Sequence, residues 1–147
     1  MLTADAVVLT ELDGKLKVLL IKRKNPPYQG SWALPGGYVS ENEQALQAAK
    51  RELAEETHLT RIKLKPIGFF DTPGRDPRGW TVSVVHLGFL APSKLELAHP
   101  GDDASEVTFL PLRTRAKLAF DHACILRYTA RWLKAHPDTL AKTSDVF

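Results

Sequence analysis

Gly37-Tyr38-Val39-Ser40-Glu41-Asn42-Glu43-Gln44-Ala45-Leu46-Gln47-Ala48-Ala49-Lys50-Arg51-Glu52-Leu53-Ala54-Glu55-Glu56-Thr57-His58-Leu59 is the stretch whose reading decides the fold and the chemistry. Ser40 and Glu43 have the spacing of a capping box, which predicts a helix from 41 to about 57. Leu46, Ala49 and Leu53 give that helix an apolar stripe, with Arg51, Glu52 and Glu55 away from it and Glu56 near its edge. Glu52, Glu55 and Glu56 stand at i, i+3 and i+4, so three carboxylates share one helical face. Like charges so placed repel, and carboxylates near a helix C-terminus also oppose the macrodipole. A divalent cation answers both objections. All-oxygen ligands select a hard ion, and Mg2+, with Mn2+ as substitute, pairs carboxylates with water and substrate phosphates. The predicted chemistry is phosphoryl or pyrophosphate transfer, in which the metal neutralises charge and activates water.

Working outward, residues 4–10 and 17–23 are apolar runs flanking Asp13-Gly14, the signature of a hairpin. Val18 to Ile21 is continuously apolar, as in a strand covered on both faces. Residues 25–30 read as a rigid loop, and residues 32–37 lead into the helix. Strands are expected over 63–70, 81–90 and 106–110. Two prolines and two glycines exclude regular structure from 71–79. A closing helix is expected over 115–135, with Leu118, Ile125, Leu126, Trp132 and Leu133 on its buried side, followed by a loose ten-residue tail. This order predicts an α/β/α sandwich around a mixed central sheet.

The 147 residues fit a single domain, 1–147, with 44% hydrophobic and 25% charged residues. No stretch approaches a membrane span, and the N-terminus lacks the layout of a signal peptide. The one cysteine, Cys124, excludes an intrachain disulfide and suits a reducing cytoplasm; it is expected in the core. The net charge of +3 comes without a Lys/Arg run, so neither a nucleic-acid nor a membrane partner is expected.

These residues resemble the Nudix hydrolase signature, Gly-x5-Glu-x7-Arg-Glu-(apolar)-x-Glu-Glu-x-Gly-(apolar). Gly37, Glu43, Arg51, Glu52, Leu53, Glu55, Glu56 and Leu59 match, and His58 replaces the last glycine. That glycine leaves the helix in a left-handed conformation, which histidine tolerates at about 1 kcal/mol or less. A slightly strained turn and an intact site are therefore expected. Residues 22–37, 73–79, 101–104 and 119–122 are similar to segments of ADP-ribose pyrophosphatases within that superfamily.

Glu52 and Glu56 are the expected direct metal ligands, and Glu55 is a third or water-mediated one. The resemblance implies that the Gly37 carbonyl also approaches the metal. Arg51 would steer a carboxylate through a bidentate contact. The capping box explains Glu43 without chemistry, and support of the charged cluster explains it equally. Arg23, Arg75 and Arg78 are candidate phosphate contacts. Trp80 and Tyr28 read more readily as packing than as stacking partners for a base. Glu55, Asp102, Asp103 and Glu106 all remain open as the general base, and His122 is assigned no chemistry.

The resemblance implies a Mg2+-dependent hydrolase of a nucleoside diphosphate linked to another moiety. ADP-ribose, cleaved to AMP and ribose 5-phosphate, is the favoured substrate, and a homodimer is compatible with it. Alternatives are a pyrophosphohydrolase of an oxidised dGTP-type triphosphate and a non-catalytic, ADP-ribose-sensing regulator. Such regulators carry an additional winged-helix domain, whereas this sequence ends soon after its expected closing helix.

Overall fold

The computed structural model describes residues 1–140. Its first hairpin pairs β1 (Leu2–Leu12) with β2 (Lys15–Arg23) through Asp13 and Gly14, whose φ angles are 53° and 74°. Both central residues have positive φ, the geometry that lets a two-residue turn follow the twist of its strands. The pairing covers only Leu9–Leu12 against Lys15–Val18, after which the two strands diverge.

Two short strands fill the fork. β3 (Trp32–Ala33) pairs with β2 at Ile21 and Lys22, and β4 (Gly36–Tyr38) pairs with β1 at Thr3, Ala4 and Asp5. Neither strand was anticipated, because two or three residues are too few to carry a period. On the far edge of β1, β6 (Val82–Phe89) runs parallel and is followed outward by antiparallel β5 (Lys65–Phe70). On the far edge of β2 lies antiparallel β7 (Ala104–Pro111). The sheet is therefore mixed, as expected.

Alternation along the central strands makes the two layers. Ala4, Ala6, Val8 and Leu19 meet Ala48, Ala49 and Leu53 of α1 (Ala45–Thr57). Val7, Leu9, Val18 and Leu20 meet Ile125, Leu126 and Leu133 of α2 (His122–Ala135) on the other face. Val18 through Ile21 are fully or almost fully buried, which accounts for their continuous apolarity. The α/β/α sandwich is present.

Both helices start later than their periodicity indicated. Asn42 adopts φ 66°, which breaks the turn from Ser40, so α1 begins at Ala45 with Gln44 as N-cap. The Gln47 amide oxygen accepts the Gln44 N–H at 2.9 Å. Residues 115–121 are not helical. Leu118 bridges Trp32, the Ala119 N–H donates to the Trp32 carbonyl at 2.8 Å, and Phe120 turns left-handed at φ 53°. Backbone groups tied to the edge of β3 cannot also form a helical ladder. Cys124 is exposed, not in the core. Of the expected tail, residues 141–147 lie outside the described residues, while Leu140 packs against the core.

Candidate active site

The fork between β1 and β2 opens into a cavity of about 460 Å³, lined on one side by Gly36, Gly37, Arg51, Glu52 and Glu56. Glu56 is 4% exposed, and its Oε1 accepts the Gly36 N–H at 2.9 Å. Burial pushes its carboxyl well above the usual range, against the pull of that hydrogen bond; the neighbouring charges of Glu52 and Asp5 push the same way. Burial also raises Glu52, in spite of its bond from Arg51. Gly37 lies so close that an added Cβ would stand 2.5 Å from Glu52 Cδ.

The donor set fits a hard cation. Two carboxylates whose charged forms are disfavoured by burial line one cavity beside a glycine backbone that carries no side chain. Among the described residues, no group of three or more His, Cys, Asp and Glu is arranged to hold a metal by itself. Glu52, Glu56 and Gly37 line the cavity together, an all-oxygen donor chemistry of the kind Mg2+ accepts alongside water and phosphate oxygens. Glu55 stands apart: its side chain is 48% exposed and reaches Arg51 at 3.5 Å.

Arg51 organises this half of the site. Its Nε and Nη2 donate to the two oxygens of Glu43 at 2.8 and 3.0 Å, Nη1 donates to Glu52 at 2.7 Å, and Nη2 also reaches the Tyr38 carbonyl at 3.0 Å. The Glu43 carboxyl is held down to about 2, first by the Arg51 side chain and then by the Ser40 N–H. Glu43 is therefore both a local cap, through Ser40, and the clamp that aims Arg51.

The lining also includes a cationic wall, with Arg23, Lys24, Arg75 and Arg78 all bordering the cavity. Burial and the nearby charge of Arg78 both depress protonation of Arg23, so this wall favours an anion. Arg78 is bound by Asp76 at 3.1 and 2.8 Å and lies 4.9 Å from the Tyr38 ring and 5.3 Å from the Phe120 ring. Burial opposes the Asp76 charge, but the hydrogen bonds from Arg78 prevail and lower its carboxyl. Arg75 is different. It is almost fully buried and gives Nε and Nη2 to Asp121 at 2.9 and 2.7 Å, which ties the 71–79 loop to the start of α2.

The acidic loop folds under the end of α1. The N–H groups of His99, Gly101 and Asp102 donate to the carbonyls of Thr57, Glu56 and Glu55 at 3.0, 2.9 and 3.2 Å. A Cβ on Gly101 would collide with the Glu55 carbonyl, so this close cap requires glycine. The cap delivers Asp103 to the cavity, whereas Glu106 reaches outward to Lys22 at 3.8 Å. His58 turns left-handed at φ 64°, as expected, and stacks on His99 with ring centroids 3.8 Å apart.

Asp5, Tyr38, Asp76, Phe120 and His122 also line the cavity and were not singled out as functional in the sequence. Asp5 carries a signal, a lone carboxylate inside an apolar strand. Trp80 and Tyr28 are absent from the lining; Tyr28 packs on Phe120 with centroids 4.8 Å apart.

The chain is 43% identical over 116 residues to an ADP-ribose pyrophosphatase of Methanocaldococcus jannaschii, covering 79% of this chain and 67% of that protein. It is 34% identical over 129 residues to the ADPR responsive transcriptional repressor NtrR of Acinetobacter baylyi, covering 86% of this chain and 52% of the repressor. It spans about two-thirds of the first relative and about half of the second. In structure it resembles the NUDIX domain of Shewanella oneidensis NrtR complexed with ADP ribose, with a TM-score of 0.81 and 33% identity over 90% of this chain and 88% of that one. The family model for the NUDIX domain matches residues 1–129, and the chain belongs to the Nudix family.

Proposed function

We propose that this protein hydrolyses ADP-ribose to AMP and ribose 5-phosphate with the help of Mg2+. The observation that carries the reading is that the half-buried Glu52 and the buried Glu56 line one cavity together with Arg23, Lys24 and Arg78. A diphosphate laid between these walls meets guanidinium and ammonium groups on one side and carboxylates on the other. When bound at Glu52, Glu56 and the Gly37 carbonyl, Mg2+ would neutralise phosphate charge and polarise one phosphorus. Support for ADP-ribose comes from the pyrophosphatase relative and from the NrtR domain complexed with ADP ribose.

Asp103 is the general base in this reading. It lines the cavity, whereas Glu55 faces Arg51 and Glu106 faces Lys22. It takes a proton from water as the water oxygen bonds to one phosphorus. The bridging P–O bond breaks, and the leaving phosphate takes up the negative charge. Arg51 keeps Glu52 aimed throughout, and Arg23 and Arg78 stabilise phosphate oxygens. The exposed Cys124 thiol fits a reducing, cytoplasmic setting.

A second reading, an ADP-ribose-sensing regulator, draws support from the NtrR relative. A substrate panel separates the two. Mg2+-dependent AMP release from ADP-ribose, well above turnover of ADP-glucose, NADH or an oxidised dGTP, is the expected result. ADP-ribose binding without cleavage would favour the sensor.

A further inference from the structure

His122 is the first residue of α2, is 4% exposed and lines the cavity, yet the chemistry above makes no use of it. Its Nδ1 accepts the Leu34 N–H at 3.0 Å. A backbone donor can meet only an unprotonated ring nitrogen, so the proton sits on Nε2, 4.0 Å from Asp5 Oδ1. Burial favours this neutral ring, lowering the tendency of His122 to take a second proton. The second oxygen of Asp5 is engaged by the Ser83 hydroxyl, which fixes the carboxylate that the ring faces.

Leu34 begins the segment that forms the cation cradle. The next residue, Pro35, accepts the Ala6 N–H at 2.9 Å; Gly36 donates to Glu56; Gly37 backs on Glu52. One position before His122, Asp121 grips Arg75 with both oxygens. Adjacent residues at the start of α2 thus fasten the arginine loop and the glycine segment, two pieces far apart in sequence.

We propose that His122 is a positioning residue: through Leu34 it holds the Leu34–Gly37 segment in register with Glu52 and Glu56, and so sets the affinity of the cation site. A core histidine that merely fills space would place no such demand on which ring nitrogen accepts. The inference rests on the proposed cation site, because it concerns the geometry of that cradle. Small displacements matter there, since groups that support metal ligands typically contribute about 10- to 100-fold in affinity or rate.

The test uses which nitrogen is mimicked. The amide oxygen of Asn reaches the place of Nδ1, and that of Gln the place of Nε2. Free Mn2+ is counted by electron paramagnetic resonance in titrations of each nucleotide-free protein, and kcat and KM for ADP-ribose are measured beside it. We expect His122→Gln to weaken Mn2+ binding and lower kcat by about tenfold with KM within about threefold, and His122→Asn to keep all three within about threefold of wild type. Wild-type values in a folded His122→Gln, or equal losses in both variants, would overturn the proposal. Amide hydrogen exchange in the unmutated protein gives a reading independent of variant folding. Mg2+ should slow exchange at both Gly36 and Leu34, and a Leu34 amide indifferent to Mg2+ would count against the coupling. Absence of Mn2+ binding by wild type would instead sink the cation site itself, and this inference with it.

Discussion

A Cβ built on Gly37 would lie 2.5 Å from the carboxylate carbon of Glu52, so the backbone of β4 and the carboxylate-bearing face of α1 are in contact with no room for a side chain. The glycine is needed here for proximity, since its φ is not among the positive values. Gly37→Ala must push the strand and the helix apart. Overpacking of this kind costs about 1–3 kcal/mol, and a shift near 1 Å at a reacting centre costs about a hundredfold in rate. Thermal melting and steady-state kinetics are expected to report both effects, with the loss falling mainly on kcat.

Glu56 gives a prediction with opposite signs for stability and activity. Its carboxyl is raised well above the value of 4.5 by burial, so without a cation the fold favours the protonated form. Stability from this group is fully present below the unfolded pKa and is lost as pH rises through the folded one. Glu56→Gln keeps an oxygen for the Gly36 N–H and removes the charge. At pH 8 without metal the variant should melt about 3 °C or more above wild type. It should also lose the Mg2+-induced rise in melting temperature and about a hundredfold or more in kcat.

Arg51 holds Glu43 through two parallel bonds while a third reaches Glu52. Lysine keeps the charge but cannot form the fork, so Arg51→Lys should lower kcat about 10- to 100-fold. The Glu43 carboxyl, held down to about 2, stabilises the fold above its unfolded value of 4.5, and that contribution is lost as pH falls toward 2. Melting curves across this window should be flatter for Arg51→Lys than for wild type.

His86 and His122 are both buried, and burial lowers the pKa of each. Their neutral forms are favoured on folding, so the stability they support is present above their unfolded pKa, about 6.5, and declines as pH falls below it. This histidine contribution opposes that of Glu56, so it is read as the difference between wild type and a variant at one histidine. His122→Asn, which cannot take up the proton, should lose less, or gain more, melting temperature than wild type between about pH 7 and pH 5.

The shared direction of Glu52 and Glu56 was legible because local spacing determines it. Positions 52 and 56 share a helical face whatever the rest of the chain does, and both reach the cavity. Glu55 shares that face by the same spacing, yet its position near the rim leaves it to Arg51 and solvent. The Ser40–Glu43 contact forms as the capping pattern indicates, but the left-handed Asn42 prevents it from starting the helix. The anion wall was legible only as a set of arginines. Nothing local distinguishes Arg78, which faces two aromatic rings, from Arg75, whose partner Asp121 lies 46 residues away. Tyr38, Phe120 and His122 enter the cavity because β3 and β4 fill the fork between β1 and β2 and because Phe120 turns the chain before α2. These are long-range arrangements with no periodic signal.

The most direct test of the central claim, that Glu52 and Glu56 together hold a hard cation, is calorimetric titration of Mg2+ into wild type and into Glu52→Gln/Glu56→Gln, each in two buffers of different ionisation heat. The account predicts saturable binding to wild type with proton release that grows as the pH is lowered, because burial raises both carboxyls above the ordinary carboxylate value and the metal takes their charged forms. It predicts no such binding to the double variant. Equal heats from the two proteins, or binding without proton release, would contradict it.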